Sequence, residues 1–326
     1  MHKVFSFIFV SFIPKKIPTI QYIKPEMALI EIQNLNKLYH KHTALTDISL
    51  QIQEQSIFGL LGPNGAGKTS LIRIITQITA PDSGKVLFNG EPLQQKHIAA
   101  MGYMPEERGL YKKMPIGEQI LYLAQLKGLS KKDAQIRAKY WFERLEMQSW
   151  WKKKVEELSK GMQQKVQFVA TVMHNPKLII LDEPFTGFDP INAGIVRDEI
   201  LELRRQGATI IFSTHRMETV EELCDDIALI PKSKKILDGS KRDIKLKYRT
   251  NVFTVSYEGD LAEISRPYTI SQGEYYPQIT VQLQPNETPN DLLLSLIPHL
   301  KIYDFKEQIP SINDIFITAI ETQNNV

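Results

Sequence analysis

Two kinds of hydrophobic pattern alternate along this chain. Apolar residues occupy alternate positions through Ile30 and Ile32, and again through Ile48, Leu50 and Ile52. This period of two predicts antiparallel strands joined by a turn near residues 40–43. Unbroken apolar runs are instead typical of buried parallel strands, and they lie at 57–61, 178–181, 208–212 and 227–230.

Helical spacing of apolar residues separates several of these runs. It predicts helices at 116–126, 131–145 and 191–206, the last ending at Gly207, a residue that favours helix C-termini. A short strand at 85–88 ends at Asn89 and Gly90, a hairpin-type turn. Strands that alternate with helices in this way predict a doubly wound α/β sheet.

The pattern changes near residue 241. Basic residues are concentrated between Lys241 and Arg249, which predicts a linker-like stretch. A second, smaller unit follows, with strands predicted at 252–257 and 279–283, a helix at 291–297 stopped by Pro298, and a final helix at 311–322.

The first 26 residues differ from the rest of the chain. Residues 4–13 are mostly apolar, but this run is shorter than the roughly 20 residues that a helix needs to span a bilayer. Regular sequence begins at Met27, so we expect translation to start there and residues 1–26 to be a mis-assigned extension. A short membrane-touching anchor is the alternative. No other stretch is long and apolar enough to cross a membrane.

Composition indicates an ordinary globular protein with space for one large and one small domain. Its 326 residues are 42% hydrophobic and 24% charged. The net charge of +3 is too small for a dedicated nucleic-acid-binding protein. A single cysteine, Cys224, excludes an internal disulfide and suits a reducing compartment.

A glycine-rich segment between an apolar strand and an amphipathic helix carries the clearest chemical signal. Glycines allow successive backbone N–H groups to point at phosphate oxygens, and the helix that follows adds its positive end. Lys68 can reach the β- and γ-phosphates, and the hydroxyl of Thr69 can bind the Mg²⁺ that accompanies a nucleotide. The predicted phosphate-binding residues are Gly62, Pro63, Asn64, Gly65, Ala66, Gly67, Lys68, Thr69 and Ser70.

Two carboxylates follow the apolar run at 178–181. Asp182 is placed at the carboxyl end of a predicted parallel strand, where α/β sheets present residues to ligands. There it can hold Mg²⁺ through water, while Glu183 can polarise the water that attacks the γ-phosphate.

Residues 158–162, here called the signature segment, read Leu-Ser-Lys-Gly-Met and precede a helical run. Ser159 and Gly161 offer a hydroxyl and backbone N–H groups at a helix start. Together with the phosphate loop before it and Asp182 after it, this segment resembles the ATP-binding subunit of an ABC transporter, over about residues 29–235. Lys160 and Met162 depart from the usual Leu-Ser-Gly-Gly-Gln of that family.

That resemblance implies the ABC ATPase form of the P-loop NTPase fold: α/β, with a mixed core sheet, an antiparallel β subdomain and a helical subdomain, plus a small α+β C-terminal domain. The expected division is an extension at 1–26, an ATPase domain at 27–240 with a helical insert at about 107–157, and an accessory domain at 241–326. The family uses its signature serine and glycine in trans, which implies a dimer with two composite sites.

Further positions can be matched to family roles. Tyr39 matches the aromatic that stacks on adenine, and His215 the switch histidine that contacts the γ-phosphate. Glu106 stands where the family has a glutamine; a carboxylate can still bind Mg²⁺. Residues 187–189 match the dimer-contact loop. The resemblance thus implies Lys68, Glu183 and His215 as catalytic residues and Thr69, Glu106 and Asp182 as metal ligands.

The resemblance also implies partners and a location. The implied partners are a separate transmembrane permease and a second identical or related ATPase subunit, and no nucleic acid is expected. The implied location is the cytoplasmic face of the membrane. The segment 106–111 resembles sodium- and drug-efflux ATPases, and 310–316 resembles the end of the daunorubicin-resistance-type accessory domain, so we expect an exporter. A soluble ATPase for iron–sulfur cluster assembly is the alternative.

Overall fold

The computed structural model describes residues 28–107 and 109–324, so the predicted extension at 1–26 lies outside the described residues. The strands are β1 Ala28–Tyr39, β2 His42–Gln53, β3 Ile57–Leu61, β4 Ser83–Phe88, β5 Glu91–Pro92, β6 Met101–Met104, β7 Leu178–Asp182, β8 Thr209–Thr214, β9 Asp226–Leu229, β10 Leu237–Ser240, β11 Val252–Gly259, β12 Thr269–Gln272, β13 Pro277–Gln282 and β14 Leu300–Glu307. The α-helices are α1 Lys68–Ile75, α2 Ile116–Leu126, α3 Lys131–Arg144, α4 Lys160–Val172, α5 Pro190–Arg205, α6 Met217–Leu223, α7 Lys241–Lys247, α8 Pro289–Leu296 and α9 Ile312–Asn324.

The alternating segments form an antiparallel sheet in the order β2-β1-β4-β5. The β1–β2 pairing ends with Tyr39 opposite His42, and Phe88 pairs with Glu91 across the second hairpin. Both hairpins predicted from the sequence are therefore confirmed.

The unbroken apolar runs form four strands of the central sheet, β3, β7, β8 and β9, and β6 and β10 complete it. The strand order is β10-β9-β3-β8-β7-β6. All neighbouring pairs are parallel except β10 with β9. Successive residues of β7 face opposite hydrophobic clusters: Ile179 and Leu181 pack with the helices α2 to α6, whereas Leu178 and Ile180 pack with α1 and the antiparallel sheet. Because both faces are covered, β7 carries apolar residues at four successive positions, 178–181.

The helical insert packs through aromatic and small residues. Ser130 caps α3 by accepting a hydrogen bond from the N–H of Asp133. Trp141 and Phe142 of α3 are buried. A Cβ at Gly117 in α2 would lie 2.3 Å from the ring of Trp151, so only glycine allows this close approach. The predicted helices of this region are confirmed.

The C-terminal sheet has the order β12-β13-β11-β14 and is covered by α8 through Leu292 and Leu296. Three features differ from the sequence prediction. Residues 241–247 form α7, not a linker, because Ile244 is buried in the main core and Ser240 caps the helix. Strand β12 is exposed along its length and lacks an apolar pattern, and β14 was also missed.

The final helix, α9, packs on the main core and not in the hydrophobic cluster of the C-terminal sheet. Ile312 and Ile315 are almost fully buried there, beside residues of α6. The division at residue 241 stays a prediction, since the chain beyond it contributes to two cores. Over the described ranges, the helices include none that combines the length and apolarity needed to cross a bilayer.

Candidate functional site

The loop after β3 requires glycine at two positions. Gly62 has φ +152° and a Cβ there would lie 2.1 Å from the carbonyl oxygen of Ile230; Gly67 has φ +107° and its Cβ would lie 2.2 Å from the carbonyl oxygen of Ala44. L-residues rarely adopt these φ values, and neighbouring backbone leaves no space for a side chain. The loop is therefore held tightly curled where it enters α1.

Lys68 begins α1 and is buried beneath this loop. Its Nζ donates to the carbonyl oxygens of Gly62 and Pro63 at 2.7 and 3.0 Å. Burial lowers the pKa of Lys68, and the nearby carboxylates of Glu183, Asp182 and Glu106 oppose this shift. A cation beneath curled backbone N–H groups makes this loop suitable for binding phosphate.

Thr69 and Asp182 bring two oxygen atoms together at the foot of the loop. The hydroxyl of Thr69 donates to Oδ2 of Asp182 at 3.3 Å. Asp182 is 2% exposed, and burial is the main cause that raises its pKa. Hard oxygen donors of this kind fit Mg²⁺, which takes its remaining ligands from water and phosphate. Residues 28–107 and 109–324 contain no cluster of three or more His, Cys, Asp and Glu suited to a metal.

Glu183 and His215 form a hydrogen-bonded pair beyond β7 and β8. Oε1 of Glu183 accepts from the backbone N–H of His215 at 2.9 Å and lies 2.6 Å from its Nδ1, while Oε2 accepts from the hydroxyl of Thr214 at 3.1 Å. Glu183 is buried, whereas the side chain of His215 is half-exposed. With Nδ1 donating to the carboxylate, Nε2 of His215 is the ring nitrogen available to a ligand.

These groups converge because the central strands are parallel. The phosphate loop follows β3, Glu106 follows β6 and His215 follows β8. Asp182 is the last residue of β7 and Glu183 comes directly after it, so all of these groups lie at the carboxyl edge of one sheet. A cavity of about 340 Å³ opens there; it is lined by Tyr39, His42, Ala44, Asn64, Gly65, Gly67, Lys68, Thr69, Ser70, Glu106, Asp182 and Glu183.

Tyr39 lies at the edge of this cavity, with the ammonium of Lys37 5.2 Å from its ring centre. A partly exposed aromatic face there can stack on a planar base. His42 also lines the cavity, across the turn from Tyr39, and sequence reasoning missed it. Its position opposite Tyr39 in the predicted hairpin was the signal that could have found it.

The signature segment does not line this cavity. Ser159 is exposed and caps α4, its Oγ accepting from the N–H of Met162 at 3.3 Å. Lys160 is exposed in the first turn. A Cβ at Gly161 would lie 3.1 Å from the carbonyl oxygen of Gly187, which brings the start of α4 against the predicted dimer-contact loop.

A buried glutamine on α4, which sequence reasoning did not single out, links this helix to the Glu106 segment. Nε2 of Gln167 donates to the carbonyl oxygen of Pro105 at 2.8 Å and lies 3.4 Å from that of Glu107. Gln164, one turn earlier, donates to the carbonyl oxygen of Pro184 at 3.1 Å. The position of Gln167 between Val166 and Phe168 was the available signal. The two glutamine side chains join α4 to the segments that follow β6 and β7.

Comparisons with known proteins agree with this geometry. The "ABC transporter" family model matches residues 45–186, and the model for the "ATP-binding protein DrrA1-3-like, C-terminal domain" matches residues 239–320. The ABC transporter ATP-binding protein YhaQ of Bacillus subtilis is 37% identical over 293 residues, which cover 90% of this chain and 98% of that protein.

Two more similarities bear on function and fold. The linearmycin resistance ATP-binding protein LnrL of Bacillus subtilis is 33% identical over 219 residues, covering 66% of this chain and 70% of that protein. A solved structure of an ATP-binding subunit of an ABC transporter is 29% identical and has a TM-score of 0.63; the match covers 68% of this chain and 93% of that one.

Proposed function

Because this chain belongs to the ATP-binding proteins of ABC transporters, we propose that two copies bind Mg-ATP between them and use its hydrolysis to drive a separate permease. As a member of this family the chain is an ATP-binding ATPase subunit of a transporter. The dimeric site, the metal and the direction of transport are the proposed parts.

One observation supports the dimeric site. The cavity is lined by the phosphate loop, Asp182 and Glu183, whereas Ser159 is exposed outside it. A helix N-terminus whose capping serine can still donate its hydroxyl proton can bind an anion. If this anion is the γ-phosphate, the helix start must belong to a second copy. The contact between Gly161 and the backbone of Gly187 supports this arrangement, since it presents the signature and dimer-contact segments together.

The chemistry follows from the donors and acceptors present. Lys68 and the loop N–H groups bind the phosphates and stabilise the charge of the transition state. Glu183 accepts a proton from the attacking water while the water oxygen forms a bond to the γ-phosphorus. The bond between the γ-phosphorus and the bridging β-phosphate oxygen breaks, and ADP leaves. His215, held by Glu183 through Nδ1, directs Nε2 at the γ-phosphate.

Thr69 and Asp182 would hold Mg²⁺, with Glu106 nearby on the cavity wall. When bound, the ion would supply positive charge that offsets the negative charge of the phosphates. Glu106 differs from the family glutamine by a negative charge, and it adds to the charge facing Lys68. We propose that Glu106 would contribute a further carboxylate to this metal site from an exposed position, whereas Asp182 would do so from a buried one.

The purified chain provides the test. With Mg²⁺ it should bind and hydrolyse ATP, and chelation of Mg²⁺ by EDTA should abolish turnover. In light scattering, ATP should convert a hydrolysis-blocked variant from monomer to dimer. If the chain, alone and with its permease, neither binds nor hydrolyses Mg-ATP, the proposal is wrong.

We further propose that the transporter is an exporter and that the chain lies at the cytoplasmic face of the membrane through its permease. Support comes from the linearmycin resistance relative and from the DrrA-like match at 239–320. The two family models, YhaQ and LnrL give no support to the iron–sulfur alternative. Co-purification of the chain from native membranes with a multi-span protein would test this, and its recovery with iron–sulfur assembly proteins would contradict it.

A further inference from the structure

Glu221, in the middle of α6, binds two elements from the C-terminal part of the chain. Its Oε1 accepts from the backbone N–H of Ile312 at 2.6 Å and from Nζ of Lys245 at 3.0 Å, while Oε2 accepts from the same Nζ at 2.8 Å. Lys245 belongs to α7 and Ile312 is the first residue of α9. Nζ of Lys241 also donates to the carbonyl oxygen of Glu221.

The carboxylate of Glu221 interacts favourably with the N-terminus of α9 and with the ammonium of Lys245. The N–H of Ile312 is one of the N-terminal groups of α9 that lack a partner within the helix, and the helix dipole favours negative charge there. Glu221 and Lys245 are 29% and 24% exposed, so water screens their ion pair less than a fully exposed pair. A single side chain thus holds α7 and α9 against α6.

Apolar contacts strengthen the same junction. Ile312 and Ile315 of α9 are 1% and 2% exposed and belong to one hydrophobic cluster with Met217 and Val220 of α6. Ile244 of α7 is buried in that cluster as well. The position of α6 therefore depends on the chain beyond residue 240.

Helix α6 begins at Met217, immediately after the segment that carries His215. The backbone N–H and Nδ1 of His215 both reach Oε1 of Glu183. We infer that Glu221 is a positioning residue for ATP hydrolysis: by fixing α6 to α7 and α9, it holds His215 against Glu183. This inference rests on the proposed role of His215, and it gives the C-terminal unit a function in setting turnover.

Glu221→Gln isolates this effect. A glutamine oxygen can still accept from Ile312, but its NH₂ group faces the ammonium of Lys245, so the clamp is weakened without a loss of volume. We expect kcat to fall by roughly threefold to tenfold with KM for ATP within about twofold, because the phosphate loop and Tyr39 are untouched. In nucleotide-free protein, hydrogen exchange of the backbone at 215–223 should be at least about threefold faster.

Glu222→Gln is the matched control. Glu222 is the next residue of α6, but it is 53% exposed and pairs with Arg197 of α5. This variant should keep wild-type kcat and exchange. Lys245→Gln should reproduce Glu221→Gln, and the double variant should be no slower than either single one, since the partners act as a unit. If Glu221→Gln does not fold, kcat and hydrogen exchange of Lys245→Gln test the inference instead.

Wild-type kcat and exchange in Glu221→Gln or Lys245→Gln would overturn the inference. Equal slowing by Glu222→Gln would also overturn it, because the effect would then reflect any charge loss on α6. Failure of the wild-type chain to hydrolyse ATP contradicts the proposed function instead, and the exchange measurement still shows whether Glu221 holds His215.

Discussion

Replacement of Glu183 by glutamine separates its chemical role from its structural one. An amide oxygen in place of Oε1 can keep both contacts with His215, and an NH₂ group in place of Oε2 can donate to the hydroxyl of Thr214, which then acts as acceptor. The side chain retains its shape and partners. Only the negative charge and the capacity to take a proton are lost.

The expected cost follows from that loss. A positioned general base contributes about 10²- to 10⁴-fold to a rate, so kcat for Mg-ATP should fall by at least about 10²-fold, or about 2.7 kcal/mol in activation free energy. ATP affinity should stay within about threefold of wild type or improve, since Lys68 is untouched and one negative charge near the phosphates is removed.

Phosphate release under saturating Mg-ATP measures turnover, and titration with a fluorescent ATP analogue measures binding. ATP should also trap the Glu183→Gln variant as a dimer in light scattering. Glu222→Gln, the same change at an exposed site of α6, should keep wild-type turnover. Turnover of Glu183→Gln within threefold of wild type would refute the assignment of Glu183 as the base.

Three further predictions use other parts of the structure. Ser159→Arg should leave nucleotide binding by the monomer intact and prevent ATP-dependent dimerisation; a dimer seen with ATP would contradict the site in trans. Gly67→Ala should destabilise the fold by about 2 kcal/mol in chemical denaturation and weaken ATP binding, because the new Cβ would meet a backbone oxygen of β2. Gly65 also has a positive φ but lies in open space, so Gly65→Ala should cost about half as much. Burial lowers the pKa of His174 from 6.5 to about 4, so the unfolded chain takes up the proton first and stability falls between these pH values. Between pH 7 and pH 5 the free energy of unfolding, measured in urea titrations, should fall by about 2 kcal/mol more for wild type than for His174→Gln. The control variant His40→Asn, in an exposed turn, should behave as wild type. Equal losses for wild type and His174→Gln would contradict this.

Much of the ATPase fold could be predicted because its signals are local. Buried parallel strands contain unbroken apolar runs, as at residues 178–181 of β7, and half-exposed strands alternate, as in β1 and β2. The phosphate loop is likewise a continuous segment whose glycines follow from backbone geometry at Gly62 and Gly67. Strand β12 gave no such signal, because it is short, exposed and paired on one side only.

The chain's own order of residues determined which groups could act on a phosphate: a lysine after glycines, and two carboxylates after an apolar strand. Tertiary structure decided which of them meet. The hydrogen bonds between Glu183 and His215 join segments that are distant in sequence, as does the capping of α9 by Glu221. Such contacts depend on which strands lie side by side and on how helices pack across them, and no local pattern of polar and apolar residues records that choice.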